Sequence, residues 1–237
     1  MSNPTSQLDF KQFYQRIKQG EATILVDQPF LSGRRFTMKL DDAERSYVAK
    51  LFTYDKDMEL TESRPWEHEE NILRAMSGVI APKTFGFESW QEGDQTVFLY
   101  LREYLEGDEL TSVGTDQIPA MAKYLASLHQ QGITSNDPYI YNFITIDGTP
   151  LIIDFGKATQ QAVNSSKHHY LVGRELFKLY RGTLGYDAKL MEQFWQSYFA
   201  QFEKQSWYRQ ALLKFSVSLH SLRQMIRNIG RKRPARS

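Results

Sequence analysis

The chain has 237 residues, 41% hydrophobic and 14% aromatic, which is enough for a sizeable core and excludes disorder over most of its length. It contains no cysteine, so disulfides and thiolate metal sites are excluded. Net charge is +1, but from Lys204 onward there are nine Lys/Arg and no Asp or Glu, leaving an acidic body of 20 basic and 28 acidic residues. The start, Met1-Ser2-Asn3-Pro4-Thr5, lacks the basic and apolar runs of a signal peptide. No stretch approaches the roughly 18 apolar residues of a membrane span. A cytoplasmic or peripheral protein is expected.

Leu8, Phe10, Phe13, Tyr14 and Ile17 recur at helical spacing and predict a short leading helix. Three extended runs follow, 22–26, 35–40 and 46–52, the last two parted by the turn Asp41-Asp42-Ala43-Glu44. Residues 66–76 predict a helix, with Pro65 suited to its first turn and Gly78 to its end. Two more strands are expected at 85–87 and 96–104. The pattern then turns helical. Residues 115–131 carry Ile118, Met121, Leu125 and Leu128 on one face, with Asp116 as the expected cap and Gly132 as the expected end. Residues 143–146 pair with 151–153 across Asp147-Gly148, a strong hairpin signal. Helices are expected at 171–180, 189–202 and 208–229. The expected fold class is α+β: a small antiparallel β-rich lobe with one main helix over residues 1–103, a mostly helical lobe over 104–229, and a basic flexible tail at 230–237. The joint is expected near Glu103 to Gly107.

The sharpest constellation is Asp137-Pro-Tyr-Ile-Tyr-Asn142, then the hairpin, then Asp154-Phe155-Gly156. Phosphoryl transfer needs a carboxylate to orient or deprotonate the attacking hydroxyl, and hard oxygen ligands to hold Mg²⁺ against the phosphates. D-x-x-x-x-N supplies a carboxylate and an amide oxygen on one short loop. The hairpin folds the chain back so that Asp154 returns to the same mouth. Either motif alone reads equally well as turn residues or a strand-end cap; the two in this order across this hairpin are specific.

Leu128-His129, Ser135-Asn136-Asp137 through Asn142-Phe143-Ile144, and Ile152 to Gly156 resemble the catalytic and metal-binding segments of the protein-kinase-like superfamily. Within it the chain most resembles the bacterial lipopolysaccharide core heptose(II) kinase family. The segments carrying this are Arg102 to Gly107 followed by Glu109-Leu110, Ser135 to Ile144, and Ile152 to Lys157, and the resemblance spans roughly residues 20 to 180. It implies a two-lobe kinase fold with ATP and Mg²⁺ in the cleft and a sugar hydroxyl as acceptor, most naturally on a heptose of the inner core.

Residue by residue, the resemblance puts Lys50 on the α- and β-phosphates. It makes Glu69 the carboxylate that orients Lys50. Glu70 is its rival, because neighbouring helical positions point about 100° apart and only one can face inward. Glu103, Tyr104 and Leu105 resemble the hinge that meets adenine. Glu109 falls where ribose would be met, and a carboxylate at a helix start accounts for it equally. Asp137 resembles the catalytic base, and Asn142 and Asp154 the Mg²⁺ ligands. The label of base is narrower than the role, since such aspartates can mainly orient the hydroxyl.

The pattern also departs from the superfamily. Only Gly33 lies in the place of a glycine-rich loop. Backbone amides and Ser32 there can meet phosphate, but a plain hairpin turn serves equally. H-R-D is replaced by Ser135-Asn136-Asp137, the lysine two positions on is Tyr139, and no A-P-E follows Asp154. These departures argue against a protein acceptor and for a glycan or small molecule. Two rivals stand beside the heptose reading: a kinase for another glycan, metabolite or protein Ser/Thr, and a non-catalytic nucleotide-binding module. His68, His129, His168, His169 and His220 are too scattered for a metal site. Lys157 and Lys167 can meet an anionic acceptor, although solvated surface lysine is the simpler reading of each.

Near the end, Leu212, Phe215, Leu219, Leu222, Ile226 and Ile229 recur every three or four positions, with Lys214, Arg223 and Arg227 off that stripe. The expectation is that Leu212 to Leu222 packs on the helical lobe while the last ten residues stay free. The basic segment suits an anionic leaflet, at about 1 kcal/mol per basic residue near the surface. It carries no interleaved aromatics or reader motif, so nucleic acid is not expected.

Overall fold

The computed structural model describes residues 8–57, 65–202 and 207–231. The chain divides into two compact units. The first comprises the described residues of Met1–Ala75 together with Pro82–Glu106, and the second takes Met76–Ala81 and those of Gly107–Ser237.

The first unit begins with helix α1 (Phe10–Lys18), capped by Asp9, whose carboxylate accepts from the amides of Lys11 and Gln12 at 3.0 Å each. Five strands follow: β1 (Thr23–Phe30), β2 (Gly33–Asp41), β3 (Ser46–Asp55), β4 (Thr84–Glu92) and β5 (Gln95–Glu103), with helix α2 (Pro65–Ala75) between β3 and β4. They form one antiparallel sheet in the order β1-β2-β3-β5-β4. The expected five strands and single intervening helix are present. Most strands run longer than the apolar runs predicted, because ladder pairing carries them through polar residues.

Strand alternation gives the sheet two faces. Phe13 and Tyr14 of α1 pack on Tyr47, Ala49 and Leu51 of β3 and on Val97, Leu99 and Leu101 of β5. Phe52, Tyr54, Phe98 and Tyr100 cluster on the other face, which is also the face to which Lys50 points by alternation.

The second unit is mainly helical. Its long elements are α3 (Ile118–Gln130), α4 (Ser166–Gly182), α5 (Ala188–Phe199) and α6 (Trp207–Arg231). A three-residue 3₁₀ turn, Ile140–Asn142, leads into the hairpin, whose arms are Phe143–Ile146 and Thr149–Ile152. Two-residue bridges at Asp108–Glu109, Ile133–Thr134 and Thr159–Gln160 escaped prediction, since two residues carry no periodicity. Taken in chain order the strands of this unit are β6 (Asp108–Glu109), β7 (Ile133–Thr134), β8 (Phe143–Ile146), β9 (Thr149–Ile152) and β10 (Thr159–Gln160). The α+β class expected from the sequence is what the structure has.

Two local expectations are corrected. Helix α3 starts at Ile118 with Gln117 at the cap position and no side-chain cap, so Asp116 does not cap it. The Gln117 side chain instead accepts from the amide of Gly114 at 3.0 Å.

The second correction concerns α6. Leu212, Phe215, Leu222 and Ile226 are exposed, Phe215 to 65%, whereas Leu213 and Val217 are buried. The packing face runs through Leu213, Ser216, Val217 and His220. A Cβ on Gly173 of α4 would lie 2.1 Å from the Ser216 hydroxyl oxygen, so the glycine lets the two helices approach closely. The His220 ring sits 5.2 Å from that of Tyr170 and 6.1 Å from that of Phe177. At 100° per residue the exposed stripe lies about 135° round the helix from this packed face. The Ile229 side chain and the tail from residue 232 lie outside what is described.

Candidate functional site

Within the first unit, Lys50 Nζ lies 2.5 Å from Glu69 Oε2, with both side chains buried. Glu70 turns elsewhere and pairs with Arg74, one turn along α2, at 2.6 Å. Of the two rival glutamates, Glu69 therefore meets the lysine. Arg102, from β5, brings a second cation: its Nε is 3.3 Å from Glu69 Oε1, at ion-pair distance but without hydrogen-bond alignment. Sequence reading missed Arg102, although its place two residues from the predicted strand end put it within reach.

Other residues of this unit are held by structural contacts. Gly33 opens β2, where a Cβ would fall 1.9 Å from the Thr53 carbonyl oxygen, so strand pairing alone demands glycine. The Ser32 hydroxyl accepts from the Asp55 amide at 2.9 Å. Glu103 closes the ladder: its amide donates to the Lys83 carbonyl at 2.7 Å and its carboxylate accepts from the Lys83 amide at 3.1 Å. The Tyr104 amide donates to the Ser46 carbonyl at 3.0 Å, and Lys39 sits 4.6 Å from the Tyr104 ring centre. Leu105 follows as half-buried chain.

In the second unit the structure brings Asp137 and Asn142 together. The Asn142 side-chain amide donates to the Asp137 carbonyl at 2.8 Å and to its carboxylate at 3.2 Å. The donor nitrogen is thereby spent on Asp137, leaving the amide oxygen as the group for a cation. The Asp147-Gly148 turn, with φ of 48° and 74°, reverses the chain. Phe143 then pairs with Ile152, and the Ile153 amide donates to the Asn142 carbonyl at 3.0 Å. Asp154 thus enters one residue beyond a point pinned to Asn142, and its carboxylate accepts from the Gly156 amide at 3.0 Å. An amide oxygen and a carboxylate are the hard donors that Mg²⁺ takes, so the residues present suit that ion. Among the described residues no cluster of three or more His, Asp or Glu offers a rival metal site. Glu109 lies on β6, opposite Ile144, rather than at a helix start.

The supports of Asp137 are where the sequence was least informative. Lys157 Nζ donates to its carboxylate at 2.9 Å, and Lys178 Nζ stands 3.9 Å from the other oxygen. Hydrogen bonding to Asp137 raises the Lys157 pKa, and burial lowers that of Lys178. Asn136 sits at φ 61°, a left-handed conformation asparagine tolerates, and its side chain donates to the Lys157 carbonyl and the Thr159 hydroxyl at 3.0 Å each. Lys178 also donates to the Asn136 carbonyl.

Beneath this lies a buried polar chain. Ser135 donates through amide and hydroxyl to one oxygen of Glu175, and the other oxygen meets His129 Nε2 at 2.9 Å. His129 Nδ1 in turn meets the Tyr198 hydroxyl at 2.7 Å. His129 is thus a satisfied core histidine, as expected. Glu175 and Lys178 lie three residues apart on one face of α4, and only that spacing hinted at them.

No family model matches the chain, and no curated protein matches it in sequence. Solved structures do. One is the bifunctional kinase-methyltransferase WbdD, at 15% identity and TM-score 0.43, covering 78% of this chain and 47% of that one. Another is WbdD with the kinase inhibitor LY294002, at 17% identity and TM-score 0.45, covering 82% and 45%. The chain spans about half the length of those structures.

Proposed function

We propose that this chain is an ATP-dependent kinase that phosphorylates a sugar hydroxyl, most naturally on a heptose of the lipopolysaccharide inner core. The observation that carries the reading is Asp137 held by Asn142 and faced by Lys157, with Asp154 returned beside Asn142 by the hairpin. Asp137 orients the acceptor hydroxyl and takes its proton as the oxygen–phosphorus bond forms, while the bond from the γ-phosphorus to the bridging oxygen breaks and ADP leaves. Lys50, steered by Glu69, holds the α- and β-phosphates of ATP. Lys157 supplies the ammonium missing at position 139. Asn142 and Asp154 would hold Mg²⁺, which would supply neutralising charge for the transferring group. Glu103 to Leu105 meet adenine, and Glu109 the ribose. The acceptor family comes from the motif resemblance, not from the local geometry.

The test is phosphate transfer from ATP to unphosphorylated heptose-containing core glycolipid, read by mass spectrometry. A gain of one phosphate supports the reading. Mg²⁺-dependent thermal stabilisation by ATP without transfer overturns the heptose assignment. Loss of that stabilisation as well overturns the kinase reading, because a ligand at 100 times its Kd contributes about 2.7 kcal/mol.

Such an acceptor places the enzyme on the inner face of the cytoplasmic membrane. Among the described residues no helix is long and apolar enough to cross a membrane. The exposed stripe of α6, in a segment with nine cations and no carboxylate, supports binding along an anionic leaflet. The full chain is expected to sediment with vesicles containing phosphatidylglycerol, not with phosphatidylcholine alone, and to be released by salt. Phe215→Asp with Ile226→Asp is expected to weaken that binding by at least about tenfold. Equal binding by the variant would remove α6 from the contact.

A further inference from the structure

Tyr139 and Tyr141 flank Ile140 in the loop between Asp137 and Asn142, and nothing above gives them a task. Their rings are stacked, 9° from parallel with centres 5.6 Å apart. Tyr139 is anchored. A Cβ on Gly182 would lie 2.3 Å from its ring, so α4 presses directly against it. Its hydroxyl accepts from Arg181, and the Arg181 guanidinium and Lys178 ammonium each lie 5.9 Å from its ring centre. Tyr141 lies on this anchored ring and is 69% exposed. Tyr141 thus presents an open aromatic face on a fixed base, in the same loop as Asp137.

We infer that Tyr141, backed by Tyr139 and close to the Asp137–Lys157 pair, is the platform on which the ring of a sugar acceptor stacks, with its edge hydroxyls turned to Asp137. The inference rests on the reading of Asp137 as the group that meets the acceptor hydroxyl. The chemistry of a sugar matches the surroundings. Its C–H face, polarised by the ring oxygens, suits the electron-rich face of Tyr141. Its edge hydroxyls need both donors and acceptors, which Lys157 and the Asp137 carboxylate provide. Tyr141 is next along the chain to Asn142, whose side-chain amide donates to the Asp137 carboxylate at 3.2 Å.

The probe is the delipidated heptose-containing core oligosaccharide, with the full chain. Saturation-transfer NMR from protein to sugar protons reads the platform whether or not phosphate is transferred. Wild type and Tyr141→Phe are expected to give transfer to the C–H protons of one sugar face, and Tyr141→Ala to lose it. Where transfer of phosphate is measurable, Tyr141→Ala is expected to raise the acceptor KM about tenfold. The KM for ATP and the stabilisation by Mg-ATP should not change. The side chain is mostly exposed, so Tyr141→Ala should keep the wild-type melting temperature. Absence of saturation transfer in wild type, its survival in Tyr141→Ala, or its appearance only on adenine protons of a non-hydrolysable ATP analogue would overturn the platform. Failure of the phosphorylation assay with the NMR pattern intact would overturn the heptose kinase reading and leave the platform standing.

Discussion

Asp137→Ala is expected to lower phosphate transfer from ATP by about 10²–10⁴-fold while leaving Mg²⁺-dependent ATP stabilisation in place. The separation follows from the residue's position. Asp137 contacts Asn142 through a carbonyl that alanine keeps and a carboxylate that it does not, so Asn142 retains its 2.8 Å hydrogen bond. What disappears is the counter-charge facing Lys157 and Lys178, together with the acceptor for the substrate proton. Asp137→Asn refines the result. Asparagine preserves shape and one acceptor oxygen but cannot hold a proton or balance two ammonium groups. A loss near that of alanine would make the charge decisive. Activity close to wild type in Asp137→Asn would show that the residue only orients the hydroxyl, and transfer is checked by the same mass-spectrometric assay for each variant.

Legibility in the sequence followed the range of the forces involved. Asp147-Gly148 predicted the hairpin because the turn needs two left-handed residues in succession, and the chain supplies them. Five strands and the helix between the third and fourth were readable from alternation and from Pro65. The reading failed on α6, where hydropathy chose the larger apolar face and packing chose the smaller one. Gly173 and Ser216 decide that contact by close approach, a signal invisible to hydrophobic periodicity. In the same way, Asp137, Asn142 and Asp154 stood out through spacing along the chain. Glu175 and Lys178 did not, because they reach the site from some 40 residues away by folding. Lys157 is solvated, as its simplest reading had it, with a side chain 70% exposed, and its ammonium also lies on Asp137.

Glu69→Ala is expected to be strongly destabilising. Glu69 is 2% exposed at its side chain and faces two cations, Lys50 and Arg102, whose side chains are 10% and 6% exposed. Removing one partner of a buried pair costs about 3–5 kcal/mol, because the charge left behind has neither water nor counter-ion. Here two cations are left, facing each other across the vacated space. At roughly 2–4 °C per kcal/mol for a chain of this size, the thermal midpoint should fall by roughly 6–20 °C. Lys50→Met is the informative contrast. It removes one cation but leaves Arg102 to balance Glu69, so its stability cost should be smaller, about 1–3 kcal/mol, while ATP stabilisation is lost. Calorimetry on the two variants and the double variant completes the cycle. Lys50→Met added to Glu69→Ala should recover part of the loss, since one cation fewer then faces the vacated space. Equal costs for the two single variants would mean that Arg102 takes no share of Glu69, and that the 3.3 Å approach has no energetic weight.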